Sequence, residues 1–87
     1  MAGATDILEA QVYLQQDKTA QRIFRFILRQ QAANGWNIAK ELDQDTEETK
    51  RTLNKLRDLG VLEGDGSGLE GFYHSTSLGY ALSESTS

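Results

Sequence analysis

Apolar residues recur at helical spacing through the first two thirds of the chain, then give way to short apolar runs broken by glycine. Over residues 5–16, Ile7, Ala10 and Leu14 fall on one stripe and Leu8 with Val12 on a neighbouring one, which predicts a helix capped by Thr5 or Asp6. A strand over residues 10–14 is the competing assignment, because Val12 and Tyr13 favour it. Residues 18–33 give the clearest helix. Ala20, Ile23, Phe24, Ile27 and Leu28 fill one arc, and Lys18, Arg22, Arg25 and Arg29 share a narrow stripe on the other side. Phe26 lies beside that basic stripe, off the apolar arc, and Asn34-Gly35 is the expected C-terminal stop.

A compact helix pair follows. Asn37 is placed to cap residues 38–42, Asp43-Gln44-Asp45 to turn the chain, and Asp45 with Glu48 to open a longer helix as a capping box. On that helix Leu53, Leu56 and Leu59 form the apolar stripe, widened by Thr49 and Thr52, whose hydroxyls are expected to bond back to the helix. After Gly60 the pattern becomes that of a hairpin. Residues 61–63 make a short strand, Gly64-Asp65-Gly66-Ser67-Gly68 a flexible turn, and residues 69–76 a returning strand. Leu78, Ala81 and Leu82 close the core as a helical turn, or as a strand by the Leu78-Tyr80-Leu82 alternation. Residues 1–4 and 83–87 are expected to be disordered, leaving a core at about residues 18–82.

Composition narrows the class. At 87 residues the chain is a single domain. It has no cysteine for a disulfide or thiolate site and one histidine, His74, without a second imidazole to help it hold zinc. No apolar run reaches the ~20 residues of a membrane span, and no signal peptide opens the chain, which points to a cytoplasmic protein without membrane contact. There is no nucleophile–base pair or carboxylate dyad. The Gly64–Gly68 run lacks the lysine and helix start of a phosphate loop, so neither catalysis nor a cofactor or metal is expected. The net charge of −4 hides a polarity: residues 1–39 carry four basic and three acidic groups, residues 40–87 five and ten.

The order of elements resembles the winged helix-turn-helix superfamily. Ala39-Lys40-Glu41-Leu42, the turn 43–45, then Leu53, Leu56, Leu59, Gly60, Val61 and Leu62 follow its helix-turn-helix pattern without a gap. Residues 73–82, with Gly79 before a final leucine, look like the tail of MarR- and ArsR-type regulators from bacteria or archaea. The resemblance implies an α+β fold, a three-helix core with a C-terminal β-hairpin wing, and a transcriptional regulator that lays the helix over residues 45–59 in the major groove of double-stranded DNA. The chain departs from the pattern at Gln44 and Thr49, positions usually apolar, which implies a differently angled helix pair.

On the exposed arc of that helix, Thr46, Glu47, Lys50, Arg51, Asn54 and Lys55 are the candidate DNA contacts. Arg51 or Lys50 suits guanine, Asn54 adenine and Glu47 cytosine. The alternative is a solvated face laced by Glu47–Arg51, Glu47–Lys50 and Lys55–Asp58 pairs. Glu63, Asp65 and Glu70 make the hairpin acidic, so DNA binding calls for a homodimer, with residues 5–16 as the dimerisation element. The competing function is a protein-interaction module. Its site would be Lys18, Arg22, Arg25, Phe26 and Arg29, facing an acidic partner, though that stripe also suits a solvated face or a second nucleic-acid contact. Trp36 is expected to pack in the core or against the wing, and His74 to sit at or near the surface.

Overall fold

The computed structural model describes the backbone of residues 4–86 and the side chains of residues 7–84. The described chain is α+β: five α-helices around a small three-stranded antiparallel sheet. α1 (Ala4–Gln16) buries Ala10 and Leu14 but leaves Ile7, Leu8 and Val12 exposed, so Ile7 does not share the buried stripe expected of it. It is a helix and not a strand; the proposed caps Thr5 and Asp6 lie outside the described side chains.

α2 (Lys18–Gln30) begins at Asp17, whose carboxylate accepts the Ala20 N–H at 2.9 Å. It ends earlier than the expected residue 33. Gln31 takes the left-handed conformation (φ 71°) and the chain enters β1 (Ala33–Asn34). Phe26 is a correction: it is 5% exposed and belongs to the core, not to the edge of an open basic stripe. At 100° per residue, Phe26 and the half-buried Leu28 mark the two edges of an apolar arc about 200° wide. So wide an arc is covered because α1, α3, α4 and β3 all pack around this one helix.

α3 (Gly35–Glu41) starts earlier than the sequence suggests. Asn34, not Asn37, is its cap, with Oδ1 accepting the Trp36 N–H at 2.9 Å. Gly35 is buried inside α3 and does not stop α2. A Cβ there would meet the Leu69 backbone at 2.6 Å, so only glycine admits this approach. α4 (Thr46–Asp58) buries Thr49, Thr52, Leu53 and Leu56, with Leu59 partly buried.

β2 (Leu62–Asp65) and β3 (Phe72–Ser75) pair with Glu63 opposite His74 and Gly64 opposite Tyr73. β3 is central, and β1 adds to its other side with Asn34 opposite Phe72. The segment between β2 and β3 is more structured than the expected flexible turn. It forms a 3₁₀ turn over Gly68–Glu70 that packs on α3 and α4. Two bonds pin it: Arg57 donates to the Gly66 carbonyl at 2.6 Å and the buried Tyr73 hydroxyl to the Gly68 carbonyl at 2.7 Å.

α5 (Ser77–Thr86) closes the core through Leu82. Its entry is held by Thr76, whose hydroxyl accepts from Gly79 N at 3.1 Å and donates to the Gly60 carbonyl at 2.5 Å. The tail expected from residue 83 continues this helix to Thr86, and Ala4 already belongs to α1. Among the described residues, no helix is long and apolar enough to cross a membrane.

Candidate nucleic-acid interface

The turn from α3 into α4 is fixed by side chains from both sides. Asp43 reverses the chain with φ 51°. Asp45 then accepts the Glu48 N–H at 3.0 Å, the first half of the capping box. The second half is diverted: the Glu48 carboxylate accepts the Thr19 hydroxyl at 2.9 Å, tying the start of α4 to α2. Thr49 bonds back through its hydroxyl to the Asp45 carbonyl at 2.8 Å, as expected of it. Gln44 accepts from Arg22 at 3.0 Å, and the same guanidinium donates to the Leu42 carbonyl at 2.8 Å, at the negative end of α3. The two polar departures at Gln44 and Thr49 are therefore satisfied by specific partners.

These bonds aim the other side of α4 at solvent. Thr46, Glu47, Lys50, Arg51, Asn54 and Lys55 are all exposed, opposite the buried Thr49–Thr52–Leu53–Leu56 face. Their freedom differs. The Lys50 ammonium lies 3.1 Å from Glu47. Lys55 is drawn toward α1, 3.8 Å from Glu9 and 5.9 Å from the centre of the Tyr13 ring, so it serves as a strap between two helices. The i,i+4 pair Glu47–Arg51 and the i,i+3 pair Lys55–Asp58 expected from spacing do not form. Arg51 and Asn54 make no salt bridge or side-chain hydrogen bond among the described residues. Asp58, expected from the sequence only as a partner of Lys55, is also exposed on this arc one turn beyond Asn54, and Arg57, which the sequence did not single out, flanks it.

The basic stripe on α2 is thinner than its spacing suggests. Arg22 is committed to the α3–α4 turn and Phe26 is buried. Lys18, Arg25 and Arg29 remain exposed, with Arg29 6.0 Å from the centre of the Phe26 ring. Trp36, expected in the core or against the wing, is 54% exposed at the start of α3, so the core alternative falls. On the outer face of the sheet Phe72 is 52% exposed, and His74 Nε2 sits 3.0 Å from Glu63, its cross-strand partner.

Burial raises the pKa of two tyrosines. For Tyr13 the Asp17 carboxylate adds to the effect while Thr52 and Arg51 oppose it; for Tyr73 the Arg57 guanidinium opposes it. Both hydroxyls are neutral in folded and unfolded chains below the ordinary tyrosine value of 10.0, so they leave stability flat there. Above it the unfolded chain ionises first, and stability falls as pH rises toward the folded-state values. Urea midpoints measured from about pH 8 to about pH 11 are expected to drop only in the upper part, and Tyr73→Phe to soften that drop. An unchanged midpoint across the range would contradict the burial of these hydroxyls. Compared with known proteins, the chain matches no protein-family model and no curated protein.

Proposed function

We propose that this protein is a small cytoplasmic winged-helix regulator that binds double-stranded DNA through α4. The observation that carries the reading is the exposed arc of α4, where Arg51 and Asn54 are free to reach base edges beside Lys50. The α3–turn–α4 unit followed by a hairpin, and the sheet order β1-β3-β2, are compatible with such a fold. α1, which spans the expected dimerisation element at residues 5–16, supports a homodimer: Leu8 and Val12, one turn apart, and Ile7 are exposed apolar side chains. Two copies double the cations offered to DNA, which a single α4 supplies sparingly.

Duplex binding followed by anisotropy over a salt series tests this. With Lys50 and Arg51 as the phosphate-reaching cations, log K is expected to fall against log salt with a slope of about −2 per chain, and two chains to bind per duplex. Arg51→Ala is expected to weaken binding by about tenfold or more, Asn54→Ala to relax sequence preference, and Lys55→Ala to change little because Glu9 and Tyr13 already hold that ammonium. Absence of salt-sensitive binding at low ionic strength, or wild-type behaviour of Arg51→Ala, would overturn the reading.

A specific observation favours a second reading, a protein-interaction module: Lys18, Arg25 and Arg29 stand exposed on α2 and form no salt bridge among the described residues. They suit an acidic partner. A partner lost on Arg25→Glu, together with no DNA binding, would select this reading.

A further inference from the structure

The exposed aromatic residues of the sheet region stand in a setting different from those of α1. Phe72 and Asp65 are opposite each other in the β2–β3 pair and so share the outer face of the sheet. On the other side of Phe72 its register partner is Asn34, which organises the neighbourhood. Asn34 caps α3 at Trp36 N and reaches the carbonyls of Glu70 and Gly71 at 3.4 Å, while Gly35 N donates to the Gly71 carbonyl at 3.0 Å. This knot of bonds holds Trp36, Glu70 and Phe72, each exposed, around one corner of the molecule.

The segments that build that corner carry ionised side chains of one sign only. Residues 30–39 and 61–75, which build it, contain Glu63, Asp65 and Glu70 and no lysine or arginine. Glu63 is matched by His74, whereas Asp65 and Glu70 form no salt bridge among the described residues. Two cations of α4 reach the edge of the corner: Arg57, which is taken up by the Gly66 carbonyl, and Lys50, which lies against Gly68 and is paired with Glu47. On α3 the nearest cation is Lys40, one turn beyond Trp36. Two half-exposed rings beside unpaired carboxylates suit a cation that is also flat or amphipathic. A guanidinium stacks on the ring face and offers its N–H groups to a carboxylate in the same pose. Phosphate is repelled here, and a purely apolar helix would strand the carboxylates without water.

We propose that the face formed by Trp36, Phe72, Asp65 and Glu70 docks a cationic segment of a partner protein, with arginine or lysine side chains lying over the rings and pairing with the carboxylates. The face borders the outward arc of α4 where Lys50 lies against Gly68, and the proposal does not depend on DNA binding.

Trp36 is the single tryptophan of the chain, so its emission reports on this corner directly. The full chain is titrated with an arginine–glycine repeat peptide, with a glutamate–glycine repeat of equal length as control. The arginine peptide is expected to change Trp36 emission saturably and the control to leave it unchanged. By peptide anisotropy, Phe72→Ala is expected to weaken binding about fivefold and Trp36→Ala at least as much. Asp65→Asn with Glu70→Gln should weaken it further, while Asp58→Asn, which removes a charge on α4, should leave it unchanged. Both ring positions are exposed, so circular dichroism of these variants is expected to match wild type. Equal weakening by Asp58→Asn and Asp65→Asn would reduce the effect to net charge and overturn the proposal. A Trp36 response to duplex DNA but not to peptide would overturn it too. So would self-association abolished by Arg25→Glu with no peptide binding, since it would give the face to the α2 stripe of a second copy.

Discussion

Gly64→Ala is expected to remove most of the stability of the native state. Gly64 sits in β2 opposite Tyr73, and a Cβ added there would fall inside the Phe72 carbonyl oxygen, with the Phe72 carbonyl carbon at 2.8 Å and the Tyr73 Cα at 3.1 Å. All three atoms are backbone, so no rotamer change relieves the clash; β2 must separate from β3 or slip. Slipping by one residue would turn the buried Leu62 to solvent and the exposed Glu63 to the core. Separation would also release Tyr73, a fully buried side chain whose hydroxyl pins the 3₁₀ turn. A domain of this size is stable by about 4–13 kcal/mol, and a backbone clash of this kind belongs among the losses on the order of 4 kcal/mol or more. Urea unfolding followed by circular dichroism measures it. Ser67→Ala is the control, because Ser67 is exposed and its side chain caps nothing, and it should shift stability by less than about 0.5 kcal/mol. A Gly64→Ala loss below about 1 kcal/mol would show that the two strands do not pair in this register.

Leu53→Ala is expected to cost about 3–4 kcal/mol, and Asn54→Ala, its neighbour in sequence, less than about 0.5 kcal/mol. Leu53 is fully buried on the core face of α4, and truncation leaves a cavity in the close-packed cluster it shares with Ile23, Ile27 and Leu56. Asn54 points to solvent from the next position. The contrast checks the rotational phase of α4, on which the candidate interface rests. If Asn54→Ala proved the costlier variant, α4 would present its other side and the DNA reading would fall with it. Because Asn54→Ala is expected to fold normally, its effect on DNA preference can be read without a stability correction.

Much of the helical framework was legible from local rules. The Asp45 cap, the buried face of α4 and the amphipathic body of α2 follow from residue spacing and short-range bonds, which depend on few neighbours. Errors gathered where distant segments meet. Asn34-Gly35 reads as a helix stop because that pair commonly is one. Here Gly35 is required by the Leu69 backbone, a contact across 34 residues, while Gln31 makes the stop. The glycine-rich segment after β2 reads as a loose tip, since Gly66 and Gly68 reveal nothing of the Arg57 and Tyr73 donors that pin their carbonyls.

The sequence by itself determined which residues lie together on each helix, because a helical period of 3.6 residues fixes that geometry before any packing. It also determined that the chain is acidic in its second half and that α4 carries Arg51 and Asn54 on one side. Only the tertiary structure decided how wide each buried arc is and which charges stay free. α2 is surrounded by four elements, so Phe26 is covered; Trp36, in the first turn of α3, stays open although α3 packs on α2, α4, β1 and the 3₁₀ turn. Arg22 and Lys55 look equivalent to Arg25 and Arg51 in composition. They differ because the α3–α4 turn and α1 come within reach of the first two, and a cation that satisfies its own fold is no longer free for a partner.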